Sequence, residues 1–329
     1  MLLIWILIFC VSLFVLIKAA DYFTESAEKI GLAFKISPLV LGVTIISIGT
    51  SLPELGTALI AVFKGQTEIV AATALGSNIA NILLVVGIAA IVAGTLKVRR
   101  SLINIDLPFL VSATALITII MWDKQVTLGE GLIAVLGYIV YAAYAIRGER
   151  EEKTEPGGII PGEDIPATRE KRHHHRKKNR LFNFNLVLVL IFSVIALYFG
   201  AEWTIRSIQQ LSALFNIQSS IVAMIVLAVG TSLPELVVSV QAVRKKKFEI
   251  ALGNVFGSNI FNVLVIMGIP AFFKTLAIDE VTFSIGIPFL IGATVLYAFS
   301  GISKKINKWE GMMYLLIYLL FVAKLIGFF

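Results

Sequence analysis

Sulfur, imidazole and charge are all scarce in this sequence. One cysteine, Cys10, stands alone in 329 residues, which excludes an internal disulfide and a thiolate metal centre. The only histidines are His173 to His175, three in a row. No H-E-x-x-H pair and no D-x-D-x-D-G calcium loop occurs, so the common zinc-hydrolase and calcium-sensor frameworks are absent. Charged residues make up 15% of the chain and apolar ones 58%, a balance that a soluble globular domain does not show. No basic stretch precedes the first apolar run, so that run reads as a retained helix and not as a cleaved secretory leader.

What is present is hydrocarbon-compatible sequence. Crossing about 30 Å of bilayer core at 1.5 Å per residue takes roughly 20 apolar residues. Ten stretches qualify, at about 2–20, 37–63, 68–94, 102–122, 127–146, 184–208, 217–243, 249–273, 281–300 and 310–327. The expected fold class is an all-α polytopic membrane protein of ten transmembrane helices. A net charge of +7 might suggest nucleic acid, but its placement argues against that partner. With the N-terminus outside, the cytoplasmic loops collect Lys18, Lys29, Lys35, Lys97, Arg99, Arg100, ten basic residues from Arg147 to Arg180, Arg244 to Lys247, Lys304, Lys305 and Lys308. Lys64, Lys124, Arg206, Lys274 and Lys324 remain for the exterior. This asymmetry obeys the positive-inside rule and puts both termini outside. The lipid bilayer is the partner that follows; no obligate protein partner is evident.

The chain also repeats itself. GTSLPEL at Gly49 to Leu55 recurs at Gly230 to Leu236, and GSNIAN at Gly76 to Asn81 recurs as GSNIFN at Gly257 to Asn262, both at an offset of 181. AADY from Ala19 matches GAEW from Gly200, IDLPFL from Ile105 matches IGIPFL from Ile285, and the EG at Glu130 returns at Glu310. Two repeats of five spans each, an odd number, must enter the membrane in opposite senses, which is the inverted-repeat plan of secondary transporters. The expected domains are residues 1–147, a first repeat; 148–182, a cytoplasmic flexible linker rich in Pro, Gly and charge; and 183–329, the second repeat. The histidine run falls in the linker, where three adjacent side chains lack a defined ligand geometry.

Each repeat carries chemistry at its centre. Pro53 cannot donate to the Gly49 carbonyl, so a proline in the span frees an oxygen at the bilayer midplane. Thr50, Ser51 and Glu54 cluster beside it, and Thr231, Ser232 and Glu235 repeat the arrangement around Pro234. Ser77 and Asn81, four apart, share a helix face, as do Ser258 and Asn262. Asn78 and Asn259 point elsewhere and serve to hold helices together. The donors are all oxygen or amide, a hard set suited to Ca²⁺ or Na⁺ and not to Zn²⁺ or Cu²⁺. A carboxylate at the membrane centre costs at least about 2.5 kcal/mol and must be paired, protonated or cation-bound. No lysine or arginine lies at the depth of Glu54 or Glu235, which leaves a cation or protons to balance them. A simple kink is the plain reading of one such proline; two identical motifs, each followed by GSNI at one spacing, argue for more. Gly253-x-x-x-Gly257 and Ala72-x-x-x-Gly76 are compatible with close helix contact. Asp21 and Glu202, at matching positions near span ends, read as interfacial acids.

On these two motif pairs the chain resembles the cation/calcium exchanger superfamily, specifically its prokaryotic sodium/calcium exchanger branch. The resemblance covers nearly all of the sequence outside the linker. It implies ten transmembrane helices, a diamond of four cation sites among helices 2, 3, 7 and 8, and antiport of Ca²⁺ against Na⁺ as helices 1 and 6 slide across that core. It further implies that Glu54 and Glu235 ligate Ca²⁺ with the Thr50 and Thr231 carbonyls beside them. Ser51, Ser232, Ser77 and Ser258, with the carbonyls of Ser47 and Ala228, then resemble Na⁺ ligands. Some relatives have aspartate where this chain has Asn262; here Asn81 and Asn262 are both amides, which weakens a case for K⁺ co-transport. The function implied is plasma-membrane Ca²⁺ export against Na⁺, with Ca²⁺/H⁺ exchange as the alternative, no cofactor and no enzymatic activity. An intramembrane hydrolase using Ser51 and Glu54 lacks a positioned histidine or metal site. A passive channel is the remaining class.

Overall fold

The structure, a computed structural model, describes residues 2–34, 36–97, 106–152, 184–214, 232–325 and 327–328. In chain order its helical segments are α1 (Leu2–Ala33), α2 (Pro38–Phe63), α3 (Glu68–Ala93), α4 (Leu107–Asp123), α5 (Leu128–Glu152), α6 (Phe184–Leu214), α7 (Leu233–Arg244), α8 (Phe248–Ala271), α9 (Thr282–Ile302) and α10 (Lys308–Leu325). Seven of these, α1, α2, α3, α5, α6, α8 and α9, are long and apolar enough to cross a membrane. α4 is shorter, α7 is described only from Leu233, and α10 carries Lys308, Glu310 and Lys324 within 18 residues.

α1 departs from its expected span of 2–20. It continues to Ala33, roughly 48 Å at the helical rise and well beyond the hydrocarbon thickness. The extension is polar and is held by charge pairs. Glu25 meets Lys29 one turn on at 2.7 Å, Asp21 meets Lys245 at 2.7 Å, and Glu28 meets Lys247. Glu202 is paired with Arg206 on its own helix at 2.7 Å. α5 also overruns the expected boundary at residue 147, reaching Glu152. The rest of the linker, residues 153–182 with His173 to His175, lies outside the described residues.

Local signals in the sequence explain the helix starts. Ser37 accepts from the Val40 N–H at 3.3 Å with Pro38 at the first helical position of α2. The repeated EG proves to be a cap. Glu130 Oε2 accepts from the Thr127 N–H at 2.8 Å at the start of α5, and Glu310 Oε2 accepts from the Asn307 N–H at 2.8 Å before α10. The glycine that follows each glutamate permits close approach: a Cβ on Gly131 would lie 2.7 Å from the Gly268 carbonyl, and one on Gly311 would lie 2.6 Å from the Gly87 carbonyl.

Two short ladders, too brief to read from sequence, join the halves. β1 (Thr95–Lys97) pairs antiparallel with β4 (Lys305–Asn307), and β2 (Gln125–Val126) with β3 (Leu276–Ala277). Both pairings cross between the halves and exchange corresponding positions, as do the Gly87–Gly311 and Gly131–Gly268 contacts.

Burial ranks the helices by place. The most apolar window of α8 is entirely buried and that of α3 is 72% buried, whereas α1 and α6 bury only 17% and 22%. α3 and α8 are therefore the centre, and α1 and α6, packed along each other, turn apolar side chains such as Leu3, Phe14, Phe192 and Phe199 outward. α2 reaches α8 through small residues: a Cβ on Gly253 would lie 2.9 Å from the Leu39 carbonyl, and one on Gly257 would lie 2.3 Å from the Val43 carbonyl. The G-x-x-x-G spacing thus serves close contact. Gly257→Ala should lower the melting temperature of the detergent-solubilised protein by at least about 3 °C. Gly292→Ala on α9, where the added methyl meets nothing within 4 Å, should leave it unchanged.

Candidate cation site

The two copies of GTSLPEL sit on different backbones. In α2 the helix runs on through Pro53, with no interruption at the motif, so the expected break is not found there. A wide π-type turn at Gly42–Ile46 precedes the motif. In the second copy Ser232 adopts φ −100°, ψ 15° and α7 begins at Leu233, with Pro234 and Glu235 in its first turn. There the proline needs no donor, and the carboxylate lies at the positive end of the helix.

Glu54 and Glu235 are both buried, at 4% and 0% exposure. Ser51 on α2 donates its hydroxyl to Glu235 Oε1 at 3.0 Å, stitching α2 to α7. Among the described residues no ion pair involves either glutamate, and no cluster of three or more His, Cys, Asp or Glu side chains exists.

Around them stand the other expected residues. Ser47, Thr50, Ser77, Asn81, Ser232, Ser258 and Asn262 are all buried. The Ser47 carbonyl accepts from Thr50 Oγ1 at 3.2 Å and from Ser258 Oγ at 3.4 Å, and the Ser77 carbonyl accepts from Ser232 Oγ at 3.4 Å. Asn81 and Asn262 each open a π-type turn, at Asn81–Val85 and Asn262–Ile266. Thr231 and Ala228 lie outside the described residues.

Hydrogen bonding is incomplete in one place. Both oxygens of Glu54, Oε2 of Glu235, Oγ of Ser77 and both amide atoms of Asn81 and of Asn262 are buried without a partner. Of the remaining buried polar atoms without a partner among the described residues, Oδ1 of Asn78 and of Asn259 are carried on α3 and α8, and Oδ1 of Asp279 and the Tyr297 hydroxyl are elsewhere. Each such neutral atom costs about 1–3 kcal/mol, and a charged one more. Unpartnered oxygens on the motif residues of α2, α3, α7 and α8, with no ion pair to either carboxylate among the described residues, have the donor chemistry of a hard-cation site.

Asn78 does what its position suggested: Nδ2 donates to the Asn259 carbonyl at 2.9 Å, joining α3 to α8 at equivalent residues. Asn259 instead bonds its own helix, at the Val255 carbonyl. One residue escaped sequence reasoning. Asn254, fully buried on α8, accepts from Thr50 Oγ1 at 3.1 Å and donates to Ser239 Oγ at 3.1 Å and to the Glu235 carbonyl at 3.5 Å. The signal was available, since Asn254, Ser258 and Asn262 form one stripe at four-residue spacing.

The model of the sodium/calcium exchanger protein family matches residues 4–147 and 185–327. The chain belongs to the sodium/calcium exchanger family. The sodium/calcium exchanger MaX1 of Methanosarcina acetivorans is 30% identical over 344 residues, covering 97% of each chain. The inner membrane protein YrbG of Escherichia coli is 29% identical over 288 residues, 88% of this chain and 86% of that one. Among solved structures, the sodium-calcium exchanger NCX_Mj soaked with 10 mM Na⁺ and zero Ca²⁺ matches with a TM-score of 0.79 at 26% identity, over 99% of this chain and 100% of that one. This member is accordingly a transmembrane cation/Ca²⁺ antiporter.

Removing the α3–α8 link tests its role as a brace. Asn78→Ala should cost about 1 kcal/mol of stability, because the hydrogen bond between the helices is lost while the Asn259 carbonyl keeps the Asn262 N–H. It should leave transport far less affected than the loss of either glutamate. Thermal unfolding in detergent, alongside reconstituted flux, checks both expectations.

Proposed function

We propose that this exchanger exports Ca²⁺ across the plasma membrane, driven by the inward Na⁺ gradient. The reading includes ten transmembrane helices in two inverted five-helix repeats, both termini outside. Glu54 and Glu235 hold Ca²⁺ with the carbonyls of Thr50 and Thr231. Ser51, Ser232, Ser77, Ser258 and the carbonyls of Ser47 and Ala228 hold Na⁺, while Asn81 and Asn262 contribute amide oxygens.

One observation carries the reading: two carboxyl groups are buried with most of their oxygens unpartnered and, among the described residues, no basic side chain paired with them. One Ca²⁺ cancels their two charges, as do two Na⁺. Loaded, the pocket crosses between facing states nearly neutral; empty, it exposes charge to a low-dielectric interior at a cost of several kcal/mol. That difference suppresses the empty crossing and makes exchange obligatory. Amides at Asn81 and Asn262 add ligand oxygens without charge, so the balance needs only two positive charges.

Purified protein in liposomes should take up Ca²⁺ only against an opposing Na⁺ gradient. Equal uptake with choline replacing Na⁺ on both sides would refute Na⁺ coupling, and uptake driven by a pH gradient under those conditions would assign proton exchange instead. Glu54→Gln and Glu235→Gln should each reduce Ca²⁺ flux by at least about 100-fold, the consequence of losing a buried charge contact worth roughly 3 kcal/mol or more. Full flux in the double glutamine variant would remove the site assignment.

A further inference from the structure

The two glutamates are not held alike. Glu235 is fixed at both ends: Ser51 donates to Oε1 at 3.0 Å, and the Asn254 amide donates to its main-chain carbonyl at 3.5 Å. Glu54 has neither restraint. Its carboxylate oxygens have no hydrogen-bond partner among the described residues, and the side chain that reaches its carbonyl, the Thr57 hydroxyl at 2.8 Å, belongs to the same helix. We propose that Asn254 is a positioning residue that makes the acids inequivalent, locking Glu235 and Thr50 as the fixed wall of the cation site and leaving Glu54 as its adjustable arm.

The sequence breaks its own symmetry at Asn254 and at its neighbour Ser239. At the offset of 181, Asn254 corresponds to Thr73 and Ser239 to Ala58. A threonine carries one hydroxyl on a short branch and cannot bridge two helices with a donor and an acceptor, whereas an asparagine amide does so. Alanine offers nothing to bridge to. Thr73 is only half-buried, while Asn254 and Ser239 are fully enclosed. The amide orientation is dictated by its surroundings, because the Glu235 carbonyl is an acceptor and must face Nδ2, which turns Oδ1 to the Thr50 hydroxyl.

A proton count extends the point. Thr50 has one hydroxyl proton and three oxygens within reach, the Ser47 carbonyl at 3.2 Å, Asn254 Oδ1 at 3.1 Å and Ser258 Oγ at 3.4 Å, of which the amide oxygen is the nearest. By taking that proton, Asn254 leaves the Ser47 carbonyl to the Ser258 hydroxyl at 3.4 Å or to a cation. One amide therefore orients a carboxylate-bearing turn on α7 and frees a ligand carbonyl on α2.

This inference rests on the cation-site assignment above. Asn254→Thr installs the first repeat's residue; it should raise the Ca²⁺ concentration for half-maximal Na⁺-dependent uptake about tenfold, in the range seen when partners that orient metal ligands are lost. The maximum rate should change less than about twofold, and Ca²⁺-dependent thermal stabilisation of the solubilised protein should shift to higher Ca²⁺ in parallel. Ser239→Ala removes a tie between α7 and α8 but spares both contacts to the site, so its half-saturation should move less than about threefold. Should Asn254→Thr fail to give monodisperse protein, Thr50→Val reads the same contact from the other side and must show the same rise. Unchanged half-saturation in Asn254→Thr, or an equal rise in Ser239→Ala, overturns the proposal. Glu54→Gln and Glu235→Gln run in the same assays separate the two levels: if they keep Ca²⁺-dependent stabilisation, the site assignment itself falls, and if they lose it while Asn254→Thr behaves as wild type, only the positioning role falls.

Discussion

A carboxylate cannot stand bare in hydrocarbon, and this protein buries two of them, Glu54 and Glu235, on helices that a Ser51 hydroxyl ties together. Much of the architecture can be understood as the means of keeping that arrangement closed to lipid and short of competing donors. α8 is buried along its most apolar window, and glycines at 253 and 257 let α2 approach until main-chain atoms touch. Such contact works in a membrane because helix association there depends on packing and hydrogen bonds more than on expulsion of apolar surface. The Asn78 amide adds a bond between α3 and α8. The protein thus spends its polar side chains on holding helices together around the acids and gives the acids almost nothing of their own.

The incomplete hydrogen bonding is the counterpart of transport. A site whose oxygens were all satisfied by protein donors would be stable without cargo and would have no reason to bind it. A site with none satisfied would lack a defined shape. Here Ser51 is turned to Glu235, Ser232 to the Ser77 carbonyl, and Glu54 is left without a donor. Equivalent serines in the two repeats thus make inequivalent bonds, and the cation supplies what the second acid lacks.

Much of this was legible in the sequence, for identifiable reasons. The spans follow from hydropathy, and the site follows from acids and hydroxyls placed where hydropathy forbids them: Glu54, Ser51, Ser77 and Asn81, with Glu235, Ser232, Ser258 and Asn262 repeating them. The failures are equally specific. Asp21, Glu25, Glu28 and Lys29 looked like the end of a span, but α1 continues because two of its acids pair with Lys245 and Lys247, more than two hundred residues away. Strands of two or three residues carry no periodicity to read, so the β1–β4 and β2–β3 ladders stayed hidden. Asn254 was passed over because the repeat drew attention to matched positions, and its importance lies in not being matched.

The heptapeptide that marks both repeats makes the limit of such reading concrete. In one copy the proline lies inside a helix that runs through it, and in the other it lies in a first turn, where its missing N–H costs nothing. Over the residues described in both copies, 51–55 and 232–236, identical side chains therefore come with different backbones. What differs is context: a π-type turn upstream of the first copy, a non-helical Ser232 at the second, and Asn254 and Ser239 in place of Thr73 and Ala58. If the two motifs were structurally interchangeable, the cation would sit on a true two-fold and either acid would serve equally. The bonds around Glu235 and their absence around Glu54 remove that equivalence. Duplication supplied two buried acids, and on the proposed reading the unmatched residues around Glu235 decide which one yields.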